Sequence, residues 1–236
     1  MARESGLRAA DNPVETTKLI TRLSAAFLAA LSAQAQDTFQ NLDFEQANPI
    51  NAGNPYYPYF VTVASALPYW TVTEEGVQQT EIAYNNISLG APWVDLIGPG
   101  APFGLAPIDG NYSVMLQGTF AGSAEISQTG TISSGTESLF FEAQPGEGTL
   151  DVLIGAQIVP ITAVGNGANY TLYGANISAW AGDSESLTFS AAQDDSGLNN
   201  WELDDISFSQ VPEPSTVALT AIGGLLFGAR KRLARR

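Results

Sequence analysis

The chain has 236 residues, of which 24 are acidic, nine are basic and none is Cys or His. All nine Lys and Arg residues lie before Leu23 or after Ala229. Three acids, Glu4, Asp11 and Glu15, also precede Leu23, so the other 21 have no basic side chain between them. Such a surface excludes nucleic acid as a partner, because phosphate binding requires Lys or Arg. The absence of Cys excludes disulfides and thiolate metal sites.

The N-terminus has the pattern of a secretory signal peptide. Two basic residues, Lys18 and Arg22, precede the apolar stretch LSAAFLAALS, and small residues follow at Ala33 and Ala35. A basic region, a short apolar region and an A-x-A site in this order predict cleavage after Ala35. We therefore expect residues 1–35 to form a signal helix that is removed. The alternative is an amphipathic N-terminal helix of the fold.

Residues 36–210 have the pattern of one all-β domain. Strands at short intervals, with Gly-, Pro-, Asn- and Asp-rich breaks, predict an antiparallel β-sandwich or jelly roll. The stretch 96–110, rich in Pro and Gly, predicts a long loop over one face. The runs that predict strands are YFVTV, YWTV, YSVMLQ, SLFFEA, TLDVLI, NYTLYG, SLTFSA and WELDDISFS, at 59–63, 69–72, 112–117, 138–143, 149–154, 169–174, 186–191 and 201–209.

Two segments at the ends of this domain place carboxylates together without a basic partner. NLDFEQ (41–46) alternates Asp43 and Glu45 with apolar residues. In WELDDISFS (201–209) the apolar residues change from odd to even positions, which predicts a β-bulge at Asp204–Asp205, because a continuous strand cannot change parity. Adjacent carboxylates at a bulge favour either full solvation or an oxygen-coordinated cation such as Ca²⁺. Both interpretations remain open on these residues alone.

Flat aromatic side chains are the other candidate binding groups, because pyranose rings stack on them. Most aromatics in β-sandwiches are packing residues, and Trp180 and Trp201 lie at core-like strand positions. The candidates for sugar binding are Tyr57, Tyr59, Trp70 and Trp93. A carbohydrate-binding module would show a row of such rings exposed on one face.

The composition also excludes most catalytic sites. Without His, Cys or a basic side chain in the domain, Ser-His-Asp and Cys-His sites, Schiff-base chemistry and His-ligated zinc are impossible. A glycosidase would need two buried carboxylates with raised pKa in a cleft. No motif selects such a pair, and Glu74–Glu75 is interpreted as a solvated turn. We therefore expect no enzymatic activity.

The C-terminus combines a Pro-Glu-Pro turn at Pro212, Glu213 and Pro214 with a short apolar run (217–229) and a basic end. A helix needs roughly 20 residues to cross a bilayer core. We therefore expect this run to form a short hydrophobic helix that is inserted in the membrane only transiently. The basic end would stay cytoplasmic, which leaves the acidic domain outside.

These C-terminal residues, 211–236, resemble the PEP-CTERM sorting signal of Gram-negative bacteria that make exopolysaccharide. The resemblance implies recognition by an exosortase, a membrane-embedded cysteine protease or transpeptidase. It also implies export across the inner membrane, removal of the tail, and a place at the cell surface or in the extracellular matrix.

The domain itself is similar to the galactose-binding-like jelly rolls, which include many carbohydrate-binding modules. The similarity is carried by NLDFE, DGNYSVMLQG and W-x-LDDISFS. It implies a structural Ca²⁺ where the first and last strands meet, with ligands among Asp43, Glu45, Asp204 and Asp205. We therefore expect a non-catalytic surface or matrix protein with exopolysaccharide or other surface proteins as partners. The alternatives are a carbohydrate-binding module for neutral glycans and, less favoured, a carboxylate-dependent glycosidase or lyase.

The two terminal patterns predict that the mature protein lacks both ends. Intact-mass measurement of protein from the native host should give an N-terminus at Gln36 and no basic tail. Recovery of the full-length chain, with residues 217–236 still in the membrane, would contradict the exosortase interpretation.

Overall fold

The computed structural model describes residues 38–87, 90–192 and 199–210. The predicted signal peptide with Ala33 and Ala35 lies outside the described residues. So do the Pro212, Glu213 and Pro214 motif and both predicted flanking helices. Among the described residues, no helix has the length and apolar character that crossing a membrane requires.

The described chain is built almost wholly from strands. Besides a four-residue helix, α1 (Val63–Ala66), and a 3₁₀ turn (Ser178–Trp180), it contains β1 (Phe60–Thr62), β2 (Thr71–Glu74), β3 (Val77–Gln78), β4 (Glu81–Tyr84), β5 (Trp93–Ile97), β6 (Ser113–Gly118), β7 (Ala124–Thr131), β8 (Thr136–Pro145), β9 (Leu150–Ile154), β10 (Gln157–Val159), β11 (Thr162–Asn166), β12 (Thr171–Asn176), β13 (Ser184–Ala191) and β14 (Asn199–Gln210).

These strands form the two sheets of a β-sandwich. The first sheet has the order β1-β4-β5-β6-β14-β8-β12-β11, and the second has the order β10-β9-β13-β7-β2-β3. The pairs are antiparallel except β4 with β5, which is parallel. The predicted β-sandwich is confirmed, and this architecture is compatible with a jelly roll. The long strand β14 lies in the middle of the first sheet, between β6 and β8.

The core lies between the two sheets. Alternate residues of each strand face it, as the period-2 geometry of a strand requires. On the first sheet the fully buried side chains include Leu96, Leu116 and Phe141, and on the second they include Ile126 and Phe189. The rings of Phe141 and Phe189 pack edge to face with centroids 5.1 Å apart. The remaining alternate residues of the first sheet point away from the core, to what we call its outer face.

The N-terminal segment 38–46 closes one end of the sandwich. Thr38 donates to the Thr131 carbonyl of the second sheet at 3.2 Å, and Ile206 of the first sheet donates to the Leu42 carbonyl at 3.0 Å. Phe44 in this segment is fully buried. The segment therefore joins the two sheets and lies against β14, as expected for the first and last parts of the domain.

The NLDFEQ stretch is a succession of turns, which differs from the alternating strand that its pattern suggests. Asn41 and Phe44 have positive φ angles of 51° and 56°. The Asn41 side chain accepts a hydrogen bond from the Gln46 amide at 2.9 Å. A short polar side chain that bonds nearby backbone in this way competes with the strand ladder, which accounts for the difference.

Trp70 belongs to the core, and this corrects its selection as a sugar-binding candidate. Its side chain is 4% exposed, and its ring lies 5.8 Å from that of Phe44. The indole N–H donates to the Asn41 carbonyl at 3.0 Å. A ring with both faces covered cannot stack on a sugar.

Candidate functional site

The predicted bulge in β14 is confirmed and sets the geometry of the acidic residues. Asp204 pairs with Glu142 of β8, and the next pair joins Ser207 to Phe140. β14 therefore has one residue more than β8 across this step. Asp205 has a φ angle of 45°, a left-handed conformation that Asp tolerates better than most residues. The bulge therefore interrupts the regular side-chain alternation of β14 at these two adjacent carboxylates.

Asp204 points to the outer face and is 1% exposed. One carboxylate oxygen accepts from the Asp109 amide at 3.1 Å and from the Ser113 hydroxyl at 2.9 Å. The other accepts from the Asp205 amide at 2.8 Å. Burial raises the pKa of Asp204 to about 7, against the effect of these hydrogen bonds, and the Asp205 charge raises it further. Asp204 thus fixes the 98–112 loop, and its oxygens are already engaged.

Glu45 holds the same loop from the other side. Its carboxylate accepts from the amides of Asn111 and Tyr112 at 2.6 and 2.9 Å, and from the Asn111 side chain at 2.8 Å. Burial raises the pKa of Glu45, but these donors stabilise the charged form more and lower the pKa overall. Gly110, at φ 55°, permits the approach, since a Cβ there would collide with the Glu45 carboxylate.

Four carboxylates come together where the N-terminal segment, the loop and β14 meet. We call Asp43, Glu45, Asp109 and Asp205 the strand-junction cluster. Burial raises the pKa of Asp205, and the nearby charges of Asp109, Asp43 and Glu45 raise it further. Three of the four residues predicted as metal ligands, Asp43, Glu45 and Asp205, belong to this cluster, and Asp204 lies beside it with its oxygens bonded to the amides of Asp109 and Asp205. Asp109 was not selected from the sequence, although the Asp-Gly pair in DGNY marks a turn.

Glu142 and Tyr170 border this cluster. Burial raises the pKa of Glu142, opposed by a hydrogen bond from the Tyr170 hydroxyl and assisted by the charges of Asp205 and Asp109. Asp205 therefore acts on a fifth carboxyl, Glu142, besides the three of its own cluster.

The donor chemistry of the strand-junction cluster suits a hard cation. Carboxylate oxygens are the ligands that Ca²⁺ takes in proteins, and no basic side chain competes for them. Within the described residues, no group of three or more Asp, Glu, His or Cys side chains is already arranged to hold a metal ion. The fit of Ca²⁺ to this cluster therefore rests on the negative charge and on the carboxylate oxygens. The Glu45 carboxylate already accepts hydrogen bonds from Asn111 and Tyr112.

Three of the four sugar-binding candidates lie together. Tyr57, Tyr59 and Trp93 form, with Phe60, what we call the aromatic cluster. The Trp93 ring centroid is 6.0 Å from Tyr57, 6.1 Å from Tyr59 and 5.4 Å from Phe60. Tyr57 is 43% exposed. The cluster presents aromatic surface to solvent, and Trp93 places it beside the outer face of the first sheet.

The outer face also carries two buried carboxylates that the sequence did not single out. Burial raises the pKa of Asp95 to about 8, against hydrogen bonds from Asn86 and Asn85, and the Glu202 charge adds to the rise. Burial likewise raises the pKa of Glu202 to about 7, opposed by Ser113 and assisted by Asp204. Asp95 lies within an apolar run, and Glu202 lies at a polar position of an alternating strand, so neither pattern indicates a buried carboxylate.

Comparison with known protein families identifies a motif at the C-terminus. The family model of the PEP-CTERM protein-sorting motif matches residues 210–233. No curated protein and no solved structure matches the chain. The motif supports an exported protein that is processed by an exosortase, and it implies a surface or extracellular location after sorting.

Glu74 generates a prediction about pH. It lies at the end of β2, partly buried, where its carboxylate accepts from the Val94 amide at 2.8 Å. It is therefore not the solvated turn residue expected from the sequence. Burial raises the pKa of Glu74 to about 7, against the Val94 hydrogen bond and with the Glu75 charge adding to the rise.

A carboxyl with a raised pKa in the folded state stabilises the fold below its unfolded pKa, and this stability is lost as the pH rises through the folded value. The metal-free protein should therefore melt at lower temperature at pH 8 than at pH 5. Glu74→Gln should reduce the difference in unfolding free energy between pH 5 and pH 8 by roughly 1–3 kcal/mol. Thermal unfolding in EDTA measures it. Glu137→Gln, at an exposed position, is the control. An unchanged pH dependence in Glu74→Gln would contradict this account.

Proposed function

We propose that the chain is a non-catalytic component of the cell surface or extracellular matrix whose β-sandwich is stabilised by Ca²⁺ at the strand-junction cluster. The observation that supports it most is the convergence of Asp43, Glu45, Asp109 and Asp205 from three distant parts of the sequence. Export supplies the setting, because the sorting motif directs the protein outside the cytoplasm.

The residues that would hold the ion are Asp43, Asp109 and Asp205, with Glu45 beside them. Bound Ca²⁺ supplies positive charge and oxygen coordination. Asp205 fixes β14 in the cluster, Asp109 fixes the loop, and Asp43 fixes the N-terminal segment. Burial raises the pKa of Asp205, and repulsion by the neighbouring carboxylates raises it further. With Ca²⁺ bound, these carboxylates would all be attracted to one positive charge. The domain would gain a cross-link without Cys.

Ca²⁺ should raise the stability of the protein. A ligand that binds only the folded state adds about 2.7 kcal/mol at 100 times its Kd, and each kcal/mol corresponds to about 2–4 °C for a domain of this size. Thermal melts in EDTA and in Ca²⁺ should therefore differ by several degrees. Asp205→Asn should reduce the difference by the contribution of the strand-junction cluster.

Asp183→Asn, at an exposed turn, is the matched control and should keep the Ca²⁺ response. Mg²⁺ and Na⁺ at equal ionic strength separate specific binding from screening. If they raise the melting temperature as much as Ca²⁺ does, the effect is general screening of the acidic surface and the site is refuted.

A second candidate function, binding of neutral glycan, is favoured by the aromatic cluster. Its rings lie together on one side of the first sheet, as a sugar-binding face requires, and stacked sugars would cover Tyr57 and Trp93. Neutral chains suit the acidic surface better than uronate- or sulfate-rich polymers, which it repels.

Neutral oligosaccharides should quench tryptophan fluorescence if this second function holds. Trp93→Ala should abolish the quench, whereas Tyr69→Ala, an exposed aromatic at a distance in sequence, should preserve it. Quenching that survives Trp93→Ala would place the sugar elsewhere. A glycan array that shows no binding, with and without Ca²⁺, would refute the candidate.

A further inference from the structure

Asp95 and Glu202 share one row on the outer face of the first sheet. Asp95 of β5 pairs with Met115 of β6, and Met115 pairs in turn with Glu202 of β14. Directly paired residues in adjacent strands point to the same face. The two carboxylates therefore flank Met115, on a face opposite the core.

Both side chains are more than nine-tenths buried and each has an oxygen without a hydrogen-bond partner. Asp95 is 0% exposed and Glu202 is 4% exposed. Asp95 accepts from the Asn86 amide through Oδ2, at 2.8 Å. Asp95 Oδ1 and Glu202 Oε1 are both buried and have no partner among the described residues. The two oxygens thus do not bond to each other, although the Glu202 charge acts on Asp95.

Among the described residues, no side chain of opposite charge compensates this pair. No Lys, Arg or His lies between Leu23 and Ala229, and the neighbouring titratable group on β14, Asp204, is itself acidic with its oxygens engaged. Leaving an acceptor buried without a partner costs about 1–3 kcal/mol, and more for a charged group. Two such oxygens in one row are ligands of the type that Ca²⁺ takes, and they would supply two of the roughly six to eight oxygens that it binds.

Catalysis is the weaker interpretation of the same pair. A glycosidase needs two carboxylates that flank a scissile bond and reach the sugar. With exposures of 0% and 4%, these side chains offer no surface to a polymer. A bare ion needs no such access, since it can be enclosed when the chain folds.

We propose that Asp95 and Glu202 bind a divalent cation, Ca²⁺ in the first instance, at a second site separate from the strand-junction cluster. The ion would link β5 to β14 across β6. The Asp95 Oδ2 bond to Asn86 would at the same time keep the turn after β4 in place. This proposal does not depend on the strand-junction site.

Calorimetric titration of the full chain with Ca²⁺ after EDTA treatment tests the proposal. The wild type should bind two ions, Asp205→Asn one, Glu202→Gln one, and the double variant none. Asp95→Asn should behave as Glu202→Gln does, with affinity at the second site reduced at least tenfold. Asp183→Asn should bind two ions, and a parallel Mg²⁺ titration establishes selectivity.

The outcomes separate the two sites. Loss of all Ca²⁺ binding in Asp205→Asn, with Glu202→Gln unchanged, would overturn the second site and leave the first. Loss of all binding in Glu202→Gln, with Asp205→Asn unchanged, would support the second site and refute the strand-junction site. Should Glu202→Gln and Asp95→Asn fail to fold, the Asp205→Asn stoichiometry still decides: one ion supports the proposal and none overturns it.

Discussion

Every carboxylate in this domain must be stabilised without a basic side chain, and the structure is organised around that constraint. Because Lys and Arg are confined to the two ends of the sequence, the buried carboxylates accept hydrogen bonds from backbone amides instead. Asp204 accepts a hydrogen bond from the Asp109 amide, and Asp95 accepts one from the Asn86 amide. Glu45 accepts hydrogen bonds from the amides of Asn111 and Tyr112. Each acid therefore anchors a loop, and the loops cover the outer face of the first sheet.

The same constraint connects fold to function. Hydrogen bonds compensate part of the negative charge, but the pKa values of Asp205, Asp95 and Glu202 stay raised, first by burial and then by the charges of neighbouring carboxylates. Protons or cations must supply the rest. A protein sorted to the outside of the cell can take divalent ions from its surroundings. Both proposed sites follow from this electrostatic balance.

Local patterns predicted the features that depend on few residues. The parity change in WELDDISFS located the bulge because side-chain alternation is fixed by strand geometry. The turns in NLDFEQ accompany a hydrogen bond from the Gln46 amide to the Asn41 side chain, which the apolar–polar alternation of this stretch does not indicate. The burial of Trp70 could not be predicted locally either, because its ring packs against Phe44, which is distant in sequence. The Asp95–Glu202 row could not be predicted without the strand order, because it depends on β6 lying between β5 and β14.

The most direct test of charge compensation by cations is a crystal structure of the protein grown with Ca²⁺, with anomalous scattering used to locate the ion. The account predicts an anomalous peak among Asp43, Asp109 and Asp205, and a second between Asp95 and Glu202. Well-ordered carboxylates at both places without a peak, at saturating Ca²⁺, would contradict it and show that protons alone balance the buried charge.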